Sequence, residues 1–255
     1  MKIEDVFTRS FKRLRHELGH DRPRDTRPMW LIRLSTDTAF CKAVVANGYL
    51  TEAQMQHAAS RYRLGRSRDG GVIFWQIDHL EQIYDGKIMF YREDCHRDHH
   101  RNPQWVSNRM KRYYLKDDKE LIASIPSYHC LFGTHLLRDE GRGMKEDGRT
   151  PTIAVVEAEK TAFIMSEHYP DYLWLAAGGL FELTAKKLIL LRGYRIVLFP
   201  DTDPDRKAYT RWYQVAQEAH RLYDLDITVS ALLEQKATRE QKQRKIDLVD
   251  YYFEQ

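Results

Sequence analysis

The 255 residues carry 41 Lys and Arg against 37 Asp and Glu, a formal charge of +4, with 42% apolar and 12% aromatic residues and a mean hydropathy of −0.64. A chain of this length makes one large or two small domains and can bury a sizeable core, which excludes disorder over most of it. No apolar run approaches the roughly 18 residues of a membrane helix. Acids stand near the N-terminus where a secretory leader has its basic region, so the expected place is the cytoplasm, without a membrane partner. Three separated cysteines, Cys41, Cys95 and Cys130, exclude a disulfide scaffold and a four-cysteine zinc ribbon.

In chain order, residues 1–34 read as a basic segment and linker, ending in the proline-punctuated stretch Arg22-Pro23 to Arg27-Pro28. Residues 35–150 form a first subdomain. Its start, 36–62, is helical, broken at Asn47-Gly48 and restarted by a capping box of Thr51 and Gln54. Residues 65–92 are β-rich: Val72 to Ile77 and Lys87 to Tyr91 flank Asp85-Gly86, whose type signals a hairpin turn. The polar stretch Asp139 to Arg149 reads as an inter-domain connection.

Residues 151–255 form a second domain in which the hydrophobic period alternates. Strands are expected over Ile153–Val156, Tyr172–Ala176, Arg195–Phe199 and Ile227–Leu232, and helices over Thr161–His168, Leu183–Leu191 and Arg206–Tyr223. Short connections and apolar strands predict an α/β fold, a parallel sheet sandwiched by helices. A charged helix and the closing segment Ile246–Phe253 follow.

Charge is uneven. Residues 151–230 hold nine basic and eleven acidic side chains, so the remainder carries +6. The basic residues gather in the first 30 positions, in 109–119, and in 236–245 as Lys236, Arg239, Lys242, Arg244 and Lys245. An acidic segment between basic ones suits a metal-dependent enzyme on a phosphate backbone, although such runs are also ordinary solvated faces.

Ligands of open α/β sheets bind at the carboxyl ends of strands. Glu157 follows the strand Ile153–Val156, while Asp201 and Asp203 follow Arg195–Phe199. Carboxylates on neighbouring strand ends can converge on one Mg²⁺, which takes one or two carboxylates plus water and phosphate oxygens. The run Asp201-Thr202-Asp203-Pro204-Asp205 is also a good turn and helix N-cap, so both readings stand.

Glu157 in Val-Val-Glu-Ala-Glu-Lys-Thr-Ala, then Gly178-Gly179, then Asp201-Thr-Asp203 after an apolar strand, resembles the Toprim domain shared by bacterial primases, topoisomerases and some nucleases. The tail Lys245-Ile-Asp247-Leu-Val-Asp250-Tyr-Tyr is similar to the Asp-x-x-Asp-Tyr ending of primase-like members. Upstream, Tyr62-Arg63-Leu64-Gly65, Gly70-Gly71 and Cys130-Leu131-Phe132-Gly133 with Leu136-Leu137 resemble the small β-rich subdomain of primase catalytic cores. The span 36–253 as a whole is similar to a bacterial family of primase-related proteins of conjugative and other mobile elements.

The resemblance implies a Mg²⁺-dependent (or Mn²⁺-dependent) nucleotidyl or phosphoryl transfer enzyme acting in DNA replication. Glu157 would be its general acid or base and Asp201 and Asp203 its metal ligands, with Glu157 and Asp205 as further candidate ligands. It implies nucleic acid, single-stranded DNA above all, as partner, together with a separate helicase or a replication or mobilisation protein. A nuclease with the same carboxylates and a catalytically inactive binding or adaptor protein are the alternatives. Family primases carry Gly after the motif Glu, where this chain has Ala158. They carry a small residue and Gly after Asp-x-Asp, where this chain has Pro204-Asp205-Arg206.

Glu159 reads as a first-turn helix acid beside Glu157, and Lys160 as a candidate nucleic-acid contact. Trp105 to Tyr114, with Arg109, Lys111 and Arg112, could stack on and neutralise a single strand. At helical spacing, though, residues such as Trp105 and Met110 are more often core. The loop with Cys95, His96, His99 and His100 is either a transition-metal site or a polar hairpin loop touching phosphates.

Overall fold

Thr38, in extended backbone, accepts a hydrogen bond from the Cys41 N–H at 3.1 Å and so starts α1 (Ala39–Ala46), whose Phe40, Cys41, Ala43 and Val44 are buried. Asn47 and Gly48, the latter at φ +73°, end it. Thr51 and Gln54 then cap α2 (Glu52–Arg61) reciprocally, as their spacing predicts. The computed structural model describes residues 34–81, 83–113, 129–139 and 151–254. The basic segment before residue 34, Tyr114, the Met110 side chain and most of the stretch from Asp139 to Arg149 lie outside the described residues. Contacts divide the chain into two units, one through His129 and one from Cys130.

In the first unit an antiparallel sheet runs in the order β1 (Gly65–Arg66), β2 (Val72–Ile77), β3 (Ile83–Met89), β4 (Gln104–Trp105). All six residues of β2 are buried. Phe74 meets Phe40 of α1 edge-on at 5.5 Å between ring centroids, so one sheet face is closed by the helices. After β4 the chain enters α3 (Val106–Tyr113).

The β-rich stretch is present, but Asp85-Gly86 is not its turn: both residues lie inside β3, opposite Gln76 and Trp75. Side-chain packing overrides local turn preference here. The Asp85 carboxylate is buried and accepts from the Gly86 N–H (2.7 Å), the Ser107 N–H (3.0 Å) and the Ser107 hydroxyl (2.6 Å). Gly86 leaves room for the Trp75 ring: a Cβ there would lie 2.8 Å from Trp75 Cε3 and 2.7 Å from Ile73 Cγ2. The reversal falls instead after Ile77, where Asp78 accepts from the Leu80 N–H at 2.8 Å. Gly86→Ala is therefore expected to destabilise the protein by about 1–3 kcal/mol through overpacking, read as a lower denaturant midpoint.

The second unit begins with a segment that sequence resemblance groups with the upstream subdomain. Phe132 exchanges backbone hydrogen bonds with Ala176 (2.9 and 3.1 Å), so Cys130 to Gly133 belongs to this unit. It leads into α4 (Leu136–Asp139). The sheet is wholly parallel, in the order β6 (Tyr172–Ala176), β5 (Thr152–Val156), β7 (Arg195–Phe199), β8 (Asp226–Val229). The α/β class and the helix-flanked parallel sheet expected from the alternating periods are present.

Helix α5 (Glu159–His168) links β5 to β6, and α6 (Lys207–Tyr223) links β7 to β8. Buried Trp212 of α6 donates its indole N–H to the Leu180 carbonyl at 3.1 Å. Between β6 and β7, Ala185–Leu191 is a 3-10 helix rather than an α-helix. The last strand is shorter and less apolar than its sequence suggests. As an edge strand it alternates exposed and half-buried residues and stops at Val229, before α7 (Leu232–Lys236). Helices α8 (Arg239–Arg244) and α9 (Leu248–Phe253) follow. No helix among the described residues is long and apolar enough to cross a membrane.

Candidate functional site

Strand β5 is central. The chain leaves it for β6 on one side and later returns to β7 on the other, which makes a topological switch point at the carboxyl ends of β5 and β7, where open α/β sheets bind ligands. Val156 pairs with Phe199, so the residues just beyond them emerge side by side. The Asp201 N–H donates to Glu157 Oε1 at 3.2 Å. The turn after β6 completes the frame: the Gly178 N–H donates to the Glu157 carbonyl at 2.9 Å, and Gly178 takes φ +91°, a region that favours glycine.

Glu157 is buried, and burial is the main reason its carboxyl is pushed up to about 7. The Asp201 N–H opposes that rise, whereas the charges of Asp203 and Asp247 add to it. Asp201 is raised well above its ordinary value by burial first, then by Glu157 and Asp247, with Lys160 pulling the other way.

Asp203 has a different setting. Its Oδ1 accepts the Asp205 N–H (2.9 Å) and its Oδ2 the Ala208 N–H (2.8 Å), so it holds the entry to α6. Burial works against its ionisation, but the N–H groups of Ala208, Lys207 and Asp205 keep the carboxyl below the usual range. Asp205 is exposed and pairs with Lys207 at 2.7 Å.

The closing segment joins the site. Asp247 is buried, accepts the Thr161 hydroxyl (2.6 Å) through Oδ2 and caps α9 through Oδ1, which accepts the Asp250 N–H (2.9 Å). Lys160 Nζ stands 3.6 Å from Asp247 and 3.9 Å from Asp250. Against the cost of burial, Lys160 and the Thr161 hydroxyl lead the contacts that keep Asp247 below its ordinary value. The tail motif marks this segment in the sequence, but its convergence on Glu157 and Asp201 is a matter of tertiary placement. Glu159 is buried in the first turn of α5.

The structure brings together Glu157, Asp201, Asp203, Asp247 and Lys160. It places the candidate contacts Arg109, Lys111 and Arg112, and the loop with Cys95, His96, His99 and His100, in the first unit. Arg109 grips Asp69 with both guanidinium nitrogens (2.7 and 2.8 Å) and donates to Gln104 (2.7 Å), and Arg101 pairs with the same aspartate at 2.8 Å. Chiefly through Arg109, Asp69 is held well below the carboxylate range. Lys111 is half-buried and Arg112 exposed on α3. Trp105 is half-buried, with His129 stacked on it at 3.8 Å.

Cys95 is buried at φ +60°, while His99 and His100 are exposed and His96 Nδ1 lies 2.9 Å from the Asp94 carbonyl. Among the described residues no group of three or more His, Cys, Asp or Glu side chains is disposed to hold one metal ion. The pair Glu157 and Asp201 fits a smaller demand. Two hard, desolvated oxygen donors of like charge suit Mg²⁺, which takes one or two carboxylates and completes its octahedron with water and phosphate.

The fold can be set beside known structures. The primase fragment of the bacteriophage T7 primase-helicase protein is 16% identical, covering 84% of this chain and 75% of that one, at a TM-score of 0.44. The DnaG primase catalytic domain bound to ssDNA is 11% identical, over 98% and 84% of the two chains, at 0.48. The E. coli primase catalytic core is 13% identical, over 97% and 77%, at 0.39. No curated protein matches the sequence. A family profile matches residues 39–202, from the start of α1 to the residue after Asp201, a span that takes in both Glu157 and Asp201. The chain belongs to that family, described as Domain of unknown function (DUF6371).

Proposed function

We propose that the protein is a Mg²⁺-dependent, primase-like nucleic-acid enzyme that performs nucleotidyl transfer at the switch point of its parallel sheet. The observation that carries this reading is the pairing of Glu157 and Asp201, a buried and a half-buried carboxyl on adjacent strand ends, the first of them poised near neutrality. The resemblance of Glu157, Gly178-Gly179 and Asp201-x-Asp203 to the Toprim pattern points the same way.

A bound divalent ion would neutralise phosphate oxygens and polarise the phosphorus for attack. Asp201 and Glu157 are its proposed holders. Asp203, with both oxygens already accepting N–H bonds, sets the loop that presents Asp201. A carboxyl near 7 suits general acid–base work at physiological pH. In the proposed step Glu157 takes the proton of the attacking sugar 3′-hydroxyl. The oxygen bonds to the α-phosphorus of an incoming nucleotide as the bond to pyrophosphate breaks, and the proton returns to solvent. Lys160 keeps Asp247 ionised, so that negative charge is retained at the site that would hold the ion. Lys111 and Arg112 are the proposed contacts to single-stranded DNA, with Arg109 bracing their helix through Asp69. Replication or mobilisation of a mobile element, alongside a separate helicase, is the proposed setting.

The test incubates the protein with single-stranded and supercoiled DNA, labelled NTPs and dNTPs, and Mg²⁺ or Mn²⁺, beside an Asp201→Asn control. Labelled oligomers made by wild type and absent from the control are expected. Nicked or shortened DNA would instead assign a nuclease with water as the nucleophile. Unchanged DNA and label in both samples would overturn the enzyme reading in favour of a binding role.

A further inference from the structure

We propose that a cavity beside the Asp201–Asp203 loop is a second, phosphate-binding site, recognising phosphate oxygens of a nucleotide's phosphate chain or of a nucleic-acid strand. The inference deepens the reading above and rests on it for the reaction that the bound phosphate serves. The cavity, about 360 Å³, lies within the second unit and is lined by Pro204, Ala237, Arg239, Lys242 and Gln243. That volume falls within the ~300–1,000 Å³ of small-molecule sites.

Its chemistry is one-sided. Arg239, Lys242 and Gln243 offer guanidinium, ammonium and amide N–H donors, and no acid is in the lining. The three stand at spacings of three and four residues, so they share one face of α8. The basic cluster of residues 236–245 thus has a directed part. Arg244 is drawn off to Glu254, while Arg239 and Lys242 line the cavity.

The two cations play different parts. Lys242 is fixed: its ammonium donates to the Glu234 carbonyl at 2.7 Å and lies 3.7 Å from the Glu234 carboxylate. Arg239 is exposed and makes no ion pair or hydrogen bond among the described residues, and its planar fork matches phosphate. Proline at 204, with no N–H and a fixed φ, adds an apolar wall directly after Asp203. The wall is tied in place, since Thr202 donates its N–H to the Ile246 carbonyl (3.1 Å) and its hydroxyl to Glu234 (3.1 Å). Phosphate held there lies beside the loop that presents Asp201.

Calorimetric titration of the full chain with inorganic tripolyphosphate, and separately with a short single-stranded oligonucleotide, tests this without divalent ions. Arg239→Ala is expected to weaken binding about tenfold, the usual worth of a charge-assisted hydrogen bond, and Arg239→Glu more. Arg192→Glu, an equal charge change at an exposed residue outside the lining, should alter it little. A loss seen with tripolyphosphate assigns the site to a nucleotide's phosphate chain, and a loss confined to the oligonucleotide assigns it to a strand. Binding that is absent in wild type, unchanged in Arg239→Ala, or weakened equally by Arg192→Glu overturns the proposal. Phosphate binding retained in a protein that fails the synthesis assay would count against the enzyme reading alone.

Discussion

Asp201→Asn is expected to raise the thermal midpoint of the metal-free protein by several degrees at pH 8.5 and to abolish Mg²⁺-dependent activity. The side chain sits half-buried at a strand end, with Glu157 and Asp247 adding like charge to the cost of its own burial. A carboxyl raised in the folded state favours the protonated form there. The native state therefore holds a proton that the unfolded chain has released, and stability falls as pH rises through the raised value. Asparagine removes that loss, so the gain over wild type should be absent below about pH 3.8, the ordinary value, and grow with pH. At about 2–4 °C per kcal/mol for a chain of this size, even a modest relief is measurable by calorimetry. A variant that is less stable than wild type at pH 8.5 would show that Asp201 is a structural carboxylate with partners of its own. A site that is stabler without its carboxylate has kept that group for binding rather than for folding.

Glu157→Gln should flatten the pH dependence of stability and remove catalysis. In wild type the folded carboxyl titrates near 7, against an ordinary 4.5. Its contribution is fully present below 4.5 and is lost as pH climbs to about 7, a change on the order of 3 kcal/mol. Glutamine cannot ionise, so denaturant midpoints measured from pH 4.5 to 8 should slope less. As a base Glu157 must be deprotonated, so the wild-type rate should rise with pH and level off above about 7. The variant should lose about 10²–10⁴-fold. A pH–rate profile unchanged in Glu157→Gln would remove Glu157 from the chemistry.

Local signals fixed some parts of the structure in advance and left others open. The helix cap of Thr51 and Gln54 and the strands β5, β6 and β7 are legible because caps act within one turn and buried parallel strands read as continuous apolar runs. Asp85-Gly86 misleads for a physical reason. Its pattern is that of a turn, while the glycine is required by the Trp75 ring and the aspartate by Ser107, partners that sequence neighbours do not reveal. At the site, strand order explains why Glu157 and Asp201 could be paired from sequence: carboxylates just past adjacent strands must emerge together. Both readings of Asp203 were open; its carboxylate accepts two N–H bonds in the turn before α6, whose N-cap is Arg206. The tie of Lys160 to Asp247 and Asp250 spans almost ninety residues of chain, and Arg109 to Asp69 forty. No local pattern tells that such a cation is already engaged.

The most direct measurement is Mg²⁺ binding itself, by calorimetric titration of wild type, Asp201→Asn and Glu157→Gln at pH 8. Wild type should bind the ion and release protons as it does so, because Asp201 is raised well above its ordinary value and must be deprotonated to hold a cation. Asp201→Asn should not bind detectably, and Glu157→Gln should bind more weakly. Equal binding by all three proteins, or none by wild type, would contradict a metal site at the ends of β5 and β7.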